Sequence, residues 1–371
     1  MTTLIRRFTS LPDTPPVIPN PPHSMTIPLL PKIRPSLIAA SALLLACAGS
    51  HAASTFTFAD TPGSHLDICK NGVPLVRYQY HYDNSSPEKL LETYKPIFHV
   101  MNPQGTAPIT KGAGGDFTHH RGWFIGWSKI TTPAGTVDRW HMKGGSLIHQ
   151  KFLSQKSDDH SATFTAALNW EGATTEPILS EERTYTVTEA PAPAYVQVEM
   201  RSKIKALTGE TKLDGDPEHA GFQFRPANEV DKASTVYVFP KADADPKKDR
   251  DYAWVAEKFM LAGTQYHVAF LNHPENPTDT QFSAYRDYGR FGGFFKTVIP
   301  ANGTFEIKGK LLVSAGKELS AEFIQKAANA FTGKVNPTPA VTERPADVPA
   351  PKKAEPAKKT ETPAAPAPAA K

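Results

Sequence analysis

Between residues 114 and 127 the chain reads GGDFTHHRGWFIGW, in which an acid, two adjacent histidines and an arginine lead into an aromatic run. Imidazoles and carboxylates sharing a cleft can give and take protons, and arginine can fork onto hydroxyls or a carboxylate. Extended backbone alternates its side chains between two faces. Over residues 118–127 it puts His119, Arg121, Trp123, Ile125 and Trp127 on one face and His120, Gly122, Phe124 and Gly126 on the other. Apolar residues on both faces predict a strand covered on each side, with the histidine pair where it emerges from the core. The glycines on the His120 face leave room for something to approach the backbone. A buried structural histidine pair is the plainer alternative.

Other stretches repeat the pattern. HAGFQFRP sets His219, Gly221, Gln223 and Arg225 against Phe222 and Phe224. RYQYHY sets Arg77, Gln79 and His81 against three tyrosines, and SLIHQKF aligns Leu147, His149 and Lys151. A solvated face explains any one such strand. The recurrence of His, Gln and Arg beside glycine points instead to a polar cleft. His119, His120 and His219 are the candidate acid–base histidines, and Asp116 and Glu182 the candidate carboxylates, although a plain ion pair with Arg183 is the commoner outcome for a residue placed like Glu182. Trp140, in DRWHMKGG, is the candidate stacking surface for a ligand. Arg121, His149, Gln223, Arg225, Arg286 and Tyr288 are candidate binding groups. His273 and Asn276 sit in HPENP, which suits either a cleft rim or a structural turn. His119, His120, His149 and His219 also offer metal ligands, but no H-E-x-x-H spacing is present, so the sequence assigns no metal and names no cofactor.

The elements that must position these groups are strands. STFTFAD, PLVRYQYHY, KPIFHVM, GWFIGW, SLIHQKF, SATFTAALNW, RTYTVTE, AYVQVEMRSKI, STVYVFP, YHVAFL and FEIKGKLLV are short, rich in β-branched and aromatic residues, and often alternating. Lys70-Asn71-Gly72, Asn102-Pro103 and Ala301-Asn302-Gly303 separate some of them as turns. One helix is predicted near the C-terminal end, ELSAEFIQKAANAFTG, stopping at Gly333 with Leu319, Phe323, Ala327 and Phe331 on one face. The fold class is all-β, a large two-sheet β-sandwich with a C-terminal helix and disordered ends.

Residues 1–53 read as an upstream extension followed by a secretory signal from Met25, with a short apolar run from Leu37 to Ala48. Cleavage fits at Ser50–Ala52, and Leu44-Leu45-Ala46-Cys47 also fits a lipoprotein box that would anchor Cys47. Either way export to the periplasm or beyond is expected. Residues 336–371, rich in proline, alanine and lysine, read as a disordered tail, a spacer or a cell-wall contact. That leaves 54–335 as the folded domain. The whole chain carries a net charge of +4, but the appendages hold the excess of basic residues, so nothing argues for nucleic acid. Cys69 is the one cysteine outside the signal and reads as a small buried apolar residue.

DFTHHRGWFIGW, Trp140, GGSLIH, EERTYTV, DPEHAGFQFR and FLNHPENPTDTQFSAYRDYGRFG together resemble, over roughly residues 60–315, an uncharacterised bacterial family labelled methane oxygenase PmoA. Two departures stand out: Asp116-Phe117-Thr118 replaces an Asp-His-Pro, and Asn272 stands where the family often has Asp. The resemblance implies a supersandwich like that of galactose mutarotase and a carbohydrate setting, and the absence of a membrane-length apolar run excludes membrane oxygenase chemistry. Three functions follow as expectations: a carbohydrate-active enzyme (epimerase, lyase or hydrolase), a non-catalytic glycan-binding protein, or a metal-dependent enzyme of cupin-like character.

Overall fold

The computed structural model describes residues 55–347; the signal pattern, Cys47 and residues 348–371 lie outside the described residues. Four antiparallel strands open the fold: β1 (Phe56–Thr61), β2 (His65–Lys70), β3 (Val73–Gln79) and β4 (Ile97–Val100), with a short helix α1 (Pro87–Thr93) before β4. Next come β5 (Trp123–Trp127), β6 (Lys129–Thr132) and β7 (Gly135–Val137). Long strands β8 (Leu147–Ser157), β9 (Ser161–Glu171), β10 (Pro177–Thr188) and β11 (Ala194–Ala206) follow, then β12 (Thr211–Asp214), β13 (Ala220–Phe224), β14 (Asp231–Phe239), β15 (Trp254–Leu261) and β16 (Thr264–Asn272). Short β17 (Gln281–Phe282), β18 (Gly293–Phe294) and β19 (Thr297–Ile299) precede β20 (Thr304–Ala315), α2 (Ala321–Thr332) and β21 (Thr342–Pro345).

A nine-stranded antiparallel sheet, ordered β21-β14-β15-β16-β20-β11-β10-β9-β8, is the main layer. Buried and half-exposed residues alternate along β9 and β11, so one face of these strands is core. Against that face pack the β1–β4 sheet, where the Phe98 ring stacks on Tyr185 at 4.0 Å, and the β5–β13 pair, where Phe222 meets Phe270 at 5.2 Å. The all-β sandwich expected from the sequence is thus what forms. Strands β15 and β16 lose the alternation because α2 covers their other face: Ile324 and Ala328 pack on Trp254, Ala256, Ala269 and Leu271.

Three details differ from the sequence expectation. The buried face of α2 is Ile324, Gln325 and Ala328, with Phe323, Ala327 and Phe331 only partly covered; Gln325 is buried because its Oε1 accepts from the Trp254 indole at 3.0 Å. Helix α1 was not anticipated; its seven residues carry too little pattern to read. The folded chain also runs past 335, for Thr342–Pro345 adds an edge strand beside β14. Cys69 is buried, as expected, and Gly333 ends α2 in the left-handed conformation.

His267, on β16, ties α2 to the sheet. Its Nδ1 accepts the Leu319 amide at 2.8 Å, one residue before the helix cap Ser320. Burial, reinforced by Lys258 and opposed by Glu318, lowers its pKa from 6.5 to about 4. The folded state therefore holds a neutral ring, while the unfolded chain takes up a proton below 6.5. That stability is present above pH 6.5 and lost as pH falls through about 4. Urea unfolding at pH 7 and pH 5 tests this: the His267→Gln variant, which keeps an acceptor for Leu319, should lose about 2 kcal/mol less over that interval than the native chain. Equal losses would contradict the assignment.

Candidate functional site

The site lies on one face of the β5–β13 pair. Register sets Phe124 opposite Gln223 and Gly126 opposite Gly221, so these four residues share the face turned away from Trp123, Ile125, Phe222 and Phe224. Gly122 and Gly126 do admit a close approach, and what approaches is the chain itself. A Cβ on Gly122, whose φ is +58°, would meet the Phe98 carbonyl oxygen at 2.2 Å; one on Gly126 would meet that of Arg139 at 2.6 Å. The segment 138–141 thus lies directly on the strand pair, with the Trp140 ring 4.9 Å from Phe124. Arg139 is fully buried and clamps this segment down, donating to the carbonyls of Asp138, Lys143, Glu171 and Gly172.

Four imidazoles from three segments converge here. Ring centroids are 4.2 Å apart for His119 and His120, 4.4 Å for His119 and His141, 4.9 Å for His141 and His219, and 6.3 Å for His119 and His219. Trp140 lies beneath them, 6.1 Å from His120 and 5.9 Å from His219. Two rings are held by aspartates three residues earlier. His141 Nδ1 bonds Asp138 Oδ2 at 2.8 Å, and His219 Nδ1 bonds Asp216 at 2.8 and 2.9 Å. A carboxylate only accepts, so each Nδ1 donates and each Nε2 is left bare in the neutral ring. Asp138 also accepts the amides of Trp140 and His141. Burial pushes its carboxyl up, but the His141 ring and these amides outweigh that and hold it below the usual range.

The face beneath is polar and unusually unsatisfied. His119 Nε2, both His120 ring nitrogens, Trp140 Nε1, both amide atoms of Gln223, and the Nε atoms of Arg225 and Arg290 are buried without a protein hydrogen-bond partner. Native interiors leave few such atoms, and each calls for an explanation. Burial, then Lys95, His141, His219 and Arg290, lowers His119 to about 2. Burial, with Arg290 and His119 next, drives His120 far down as well. Both rings are neutral, able to donate through one nitrogen and accept through the other. Arg225 donates to the Tyr288 carbonyl and lies 4.6 Å over the Tyr288 ring. Phe117, half exposed with φ +52°, covers the mouth, its ring 5.0 Å from Tyr288 and 5.5 Å from His120. Beside His219, an open depression of about 470 Å³ is walled by Asp216, Glu218, Tyr285 and Arg286.

Residues 65–329 match the family of unknown function DUF6807, more than half of the chain. The chain belongs to this family. Its description carries no activity and no PmoA label. No curated protein matches the sequence. Among solved structures the chain is similar to a β-arabinopyranosidase (9% identity, TM-score 0.35) over 65% of this chain and 39% of that one. It is also similar to galactose 1-epimerase from Lactobacillus acidophilus NCFM (8% identity, TM-score 0.30) over 71% and 95%. The chain thus spans well under half of the first and nearly all of the second. Likeness at this level says nothing of activity. Among the described residues no helix is long and apolar enough to cross a membrane.

Of the residues singled out in this DUF6807 sequence, the structure brings His119, His120, His219, Trp140, Gln223, Arg225, Arg286 and Tyr288 to this basin. Trp140 is fully buried as its floor, not an open stacking surface. Asp116 is exposed on the loop before the histidines. Arg121 is spent on structure: it donates to the carbonyls of Leu91, Glu92 and Thr118 and lies 4.0 Å over the Tyr94 ring, closing the end of α1. Glu182 is exposed on β10, in a separate depression with Lys203 and Lys205; its neighbour Glu181 makes the buried pair with Arg183, at 2.6 and 2.8 Å. His149 packs among Tyr78, Tyr80 and Phe152. His273 lies against Phe331, and the Asn276 amide bonds both the carbonyl and the amide of Lys308. Those two residues line a different cleft of about 270 Å³ beside α2.

His141, Asp138, Glu218, Arg290 and Phe117 were missed. A signal existed: Asp116–His119, Asp138–His141 and Asp216–His219 are three Asp-x-x-His tetrads, one for each leg of the basin. Only the last two make the aspartate–imidazole bond.

Because the 138–141 leg rests on Gly126, Gly126→Ala should cost about 1–3 kcal/mol by overpacking and spread the imidazoles. Thermal melts set beside Gly112→Ala, whose added methyl meets nothing closer than 3.9 Å, check this; equal, small effects would mean the approach is not tight.

Proposed function

We propose that this protein is an exported enzyme acting on a carbohydrate, with the four-histidine basin as its active site and proton transfer as its chemistry. One observation carries the reading: imidazoles from three distant segments meet over a buried layer of Gln, Arg and His atoms that have no protein partner. A hydroxyl-rich ligand both donates and accepts, and it is the class that such mixed groups satisfy. His120, neutral and unbonded at both nitrogens, would take a proton from one sugar hydroxyl at one nitrogen as it gives its own ring proton to another sugar oxygen from the other, so that the ring stays neutral throughout. The half-exposed Phe117 ring beside Tyr288 would supply the stacking face that Trp140, being buried, does not. The motifs that resemble those of the PmoA-labelled family include His119, His120, His219, Gln223 and Arg225, all of them residues of this basin. Export rests on the signal pattern within residues 25–53.

A glycan panel read for both binding and product tests the proposal. At least one glycan should be converted, and His120→Gln should lower turnover about 100-fold or more with its melting point little changed. Binding with no product for any glycan would favour a glycan-binding protein, and undiminished turnover in His120→Gln would remove His120 from the chemistry.

A further inference from the structure

We infer that His119, His141 and His219 form a three-imidazole site for a divalent transition-metal ion, zinc(II) by donor type. The inference deepens the function proposed above by placing the ion in that basin. It rests on that reading for its purpose but not for its existence.

Three independent features meet in these residues. One ligand atom from each of the three rings lies within 4.8 Å of the other two. In tetrahedral zinc sites the metal–nitrogen distance is about 2.0–2.1 Å, which sets neighbouring nitrogens about 3.4 Å apart. The rings must therefore close by roughly 1.5 Å at most, well within a side-chain rotation. The His141 and His219 side chains are 24% and 30% exposed and have room to make it.

The second feature is orientation. Histidines that ligate metals generally donate the other ring nitrogen to a carboxylate or carbonyl, which fixes the tautomer and makes the ligating nitrogen more basic. Here Asp138 fixes His141 and Asp216 fixes His219, each through Nδ1, which leaves Nε2 of each ring as the nitrogen free to ligate. Asp138 is itself fixed by two backbone amides. The third is the His119 Nε2, buried and without a protein partner. Simple proton-shuttling dyads would account for the two aspartates but not for the third ring gathered against them.

Three histidines and no cysteine suit zinc, with manganese, iron, cobalt, nickel and copper as chemical competitors. Three protein ligands leave a fourth position open, and one of the three, His219, also lines the open depression beside it. An ion there acts as a Lewis acid toward a bound oxygen.

The test uses tag-free full-length protein, stripped with a chelator and titrated with zinc chloride alone by calorimetry. One equivalent should bind with a Kd below about 1 μM. His141→Ala and His219→Ala should each weaken binding by at least about 100-fold, and Asp138→Asn, which keeps every ligand, by about 10–100-fold. His160→Gln, whose ring is 83% exposed elsewhere on the surface, should leave it unchanged. Cobalt(II) in place of zinc should give the visible bands of a four-coordinate ion. Failure to bind zinc, or equal binding by native protein and a folded His141→Ala variant, would overturn the inference. The zinc titration needs no substrate, so the two readings separate: glycan turnover by protein that binds no metal would sink this inference alone. Zinc bound by a protein that turns over no glycan would support it and sink the enzyme reading instead.

Discussion

A hydrogen atom where other residues carry a methyl group holds this site together. Gly126 lets the Arg139 carbonyl settle onto β5 at a separation that no Cβ would permit, and that contact brings Trp140 and His141 over the strand pair. The buried Arg139 then pins the segment to the turn at Glu171 and Gly172. Pairing of β5 with β13 supplies the other two legs, since His119 and His120 enter β5 and His219 enters β13. None of the three segments makes a basin alone. The geometry follows from packing backbone on backbone, which the interior enforces to within a fraction of an ångström.

The site runs against the usual rule for interiors. Buried polar atoms are almost always paired, and each one left unpaired costs about 1–3 kcal/mol. Here unpaired nitrogens of His120, Gln223, Arg225 and Arg290 gather in one layer. Basic groups crowd the same region: Lys95 Nζ donates to the His119 carbonyl and sits 3.9 Å over Phe124, and burial, then Arg121, Arg183 and Lys111, holds its pKa well down. Such a layer makes sense as a surface whose partners come from outside the chain. The cost is offset by the aromatic core on the far side of the same strands, where the rings of Trp123, Phe222 and Phe270 pack together, although the Trp123 indole nitrogen is itself left without a protein partner.

Much of the fold was legible because period two is a strong signal along β9, β10 and β11, where one face meets the core and the other meets water. It faded where both faces are covered, as in β15, and in pieces as short as β17 and β18. Residues 342–345 defeat composition outright: a proline-bearing segment forms an edge strand because β14 offers it unpaired backbone groups. In the site, His119, His120 and His219 could be read because they adjoin strands of evident pattern. His141 could not be read from strand pattern, since its segment has no periodicity and owes its place to a glycine in another strand; only the repeated Asp-x-x-His spacing marks it. Arg121 and Asn276 show the converse. Their types suit ligand binding, yet each spends its hydrogen bonds on neighbouring backbone, which no spacing rule reveals.

The account stands on imidazoles whose bare nitrogens face a common space. Long-range proton–nitrogen NMR of the histidine rings in metal-free protein at neutral pH reads this directly. We expect His141 and His219 each to carry a proton at Nδ1, where Asp138 and Asp216 accept it. Finding both rings with a bare Nδ1 and their proton at Nε2 would contradict it.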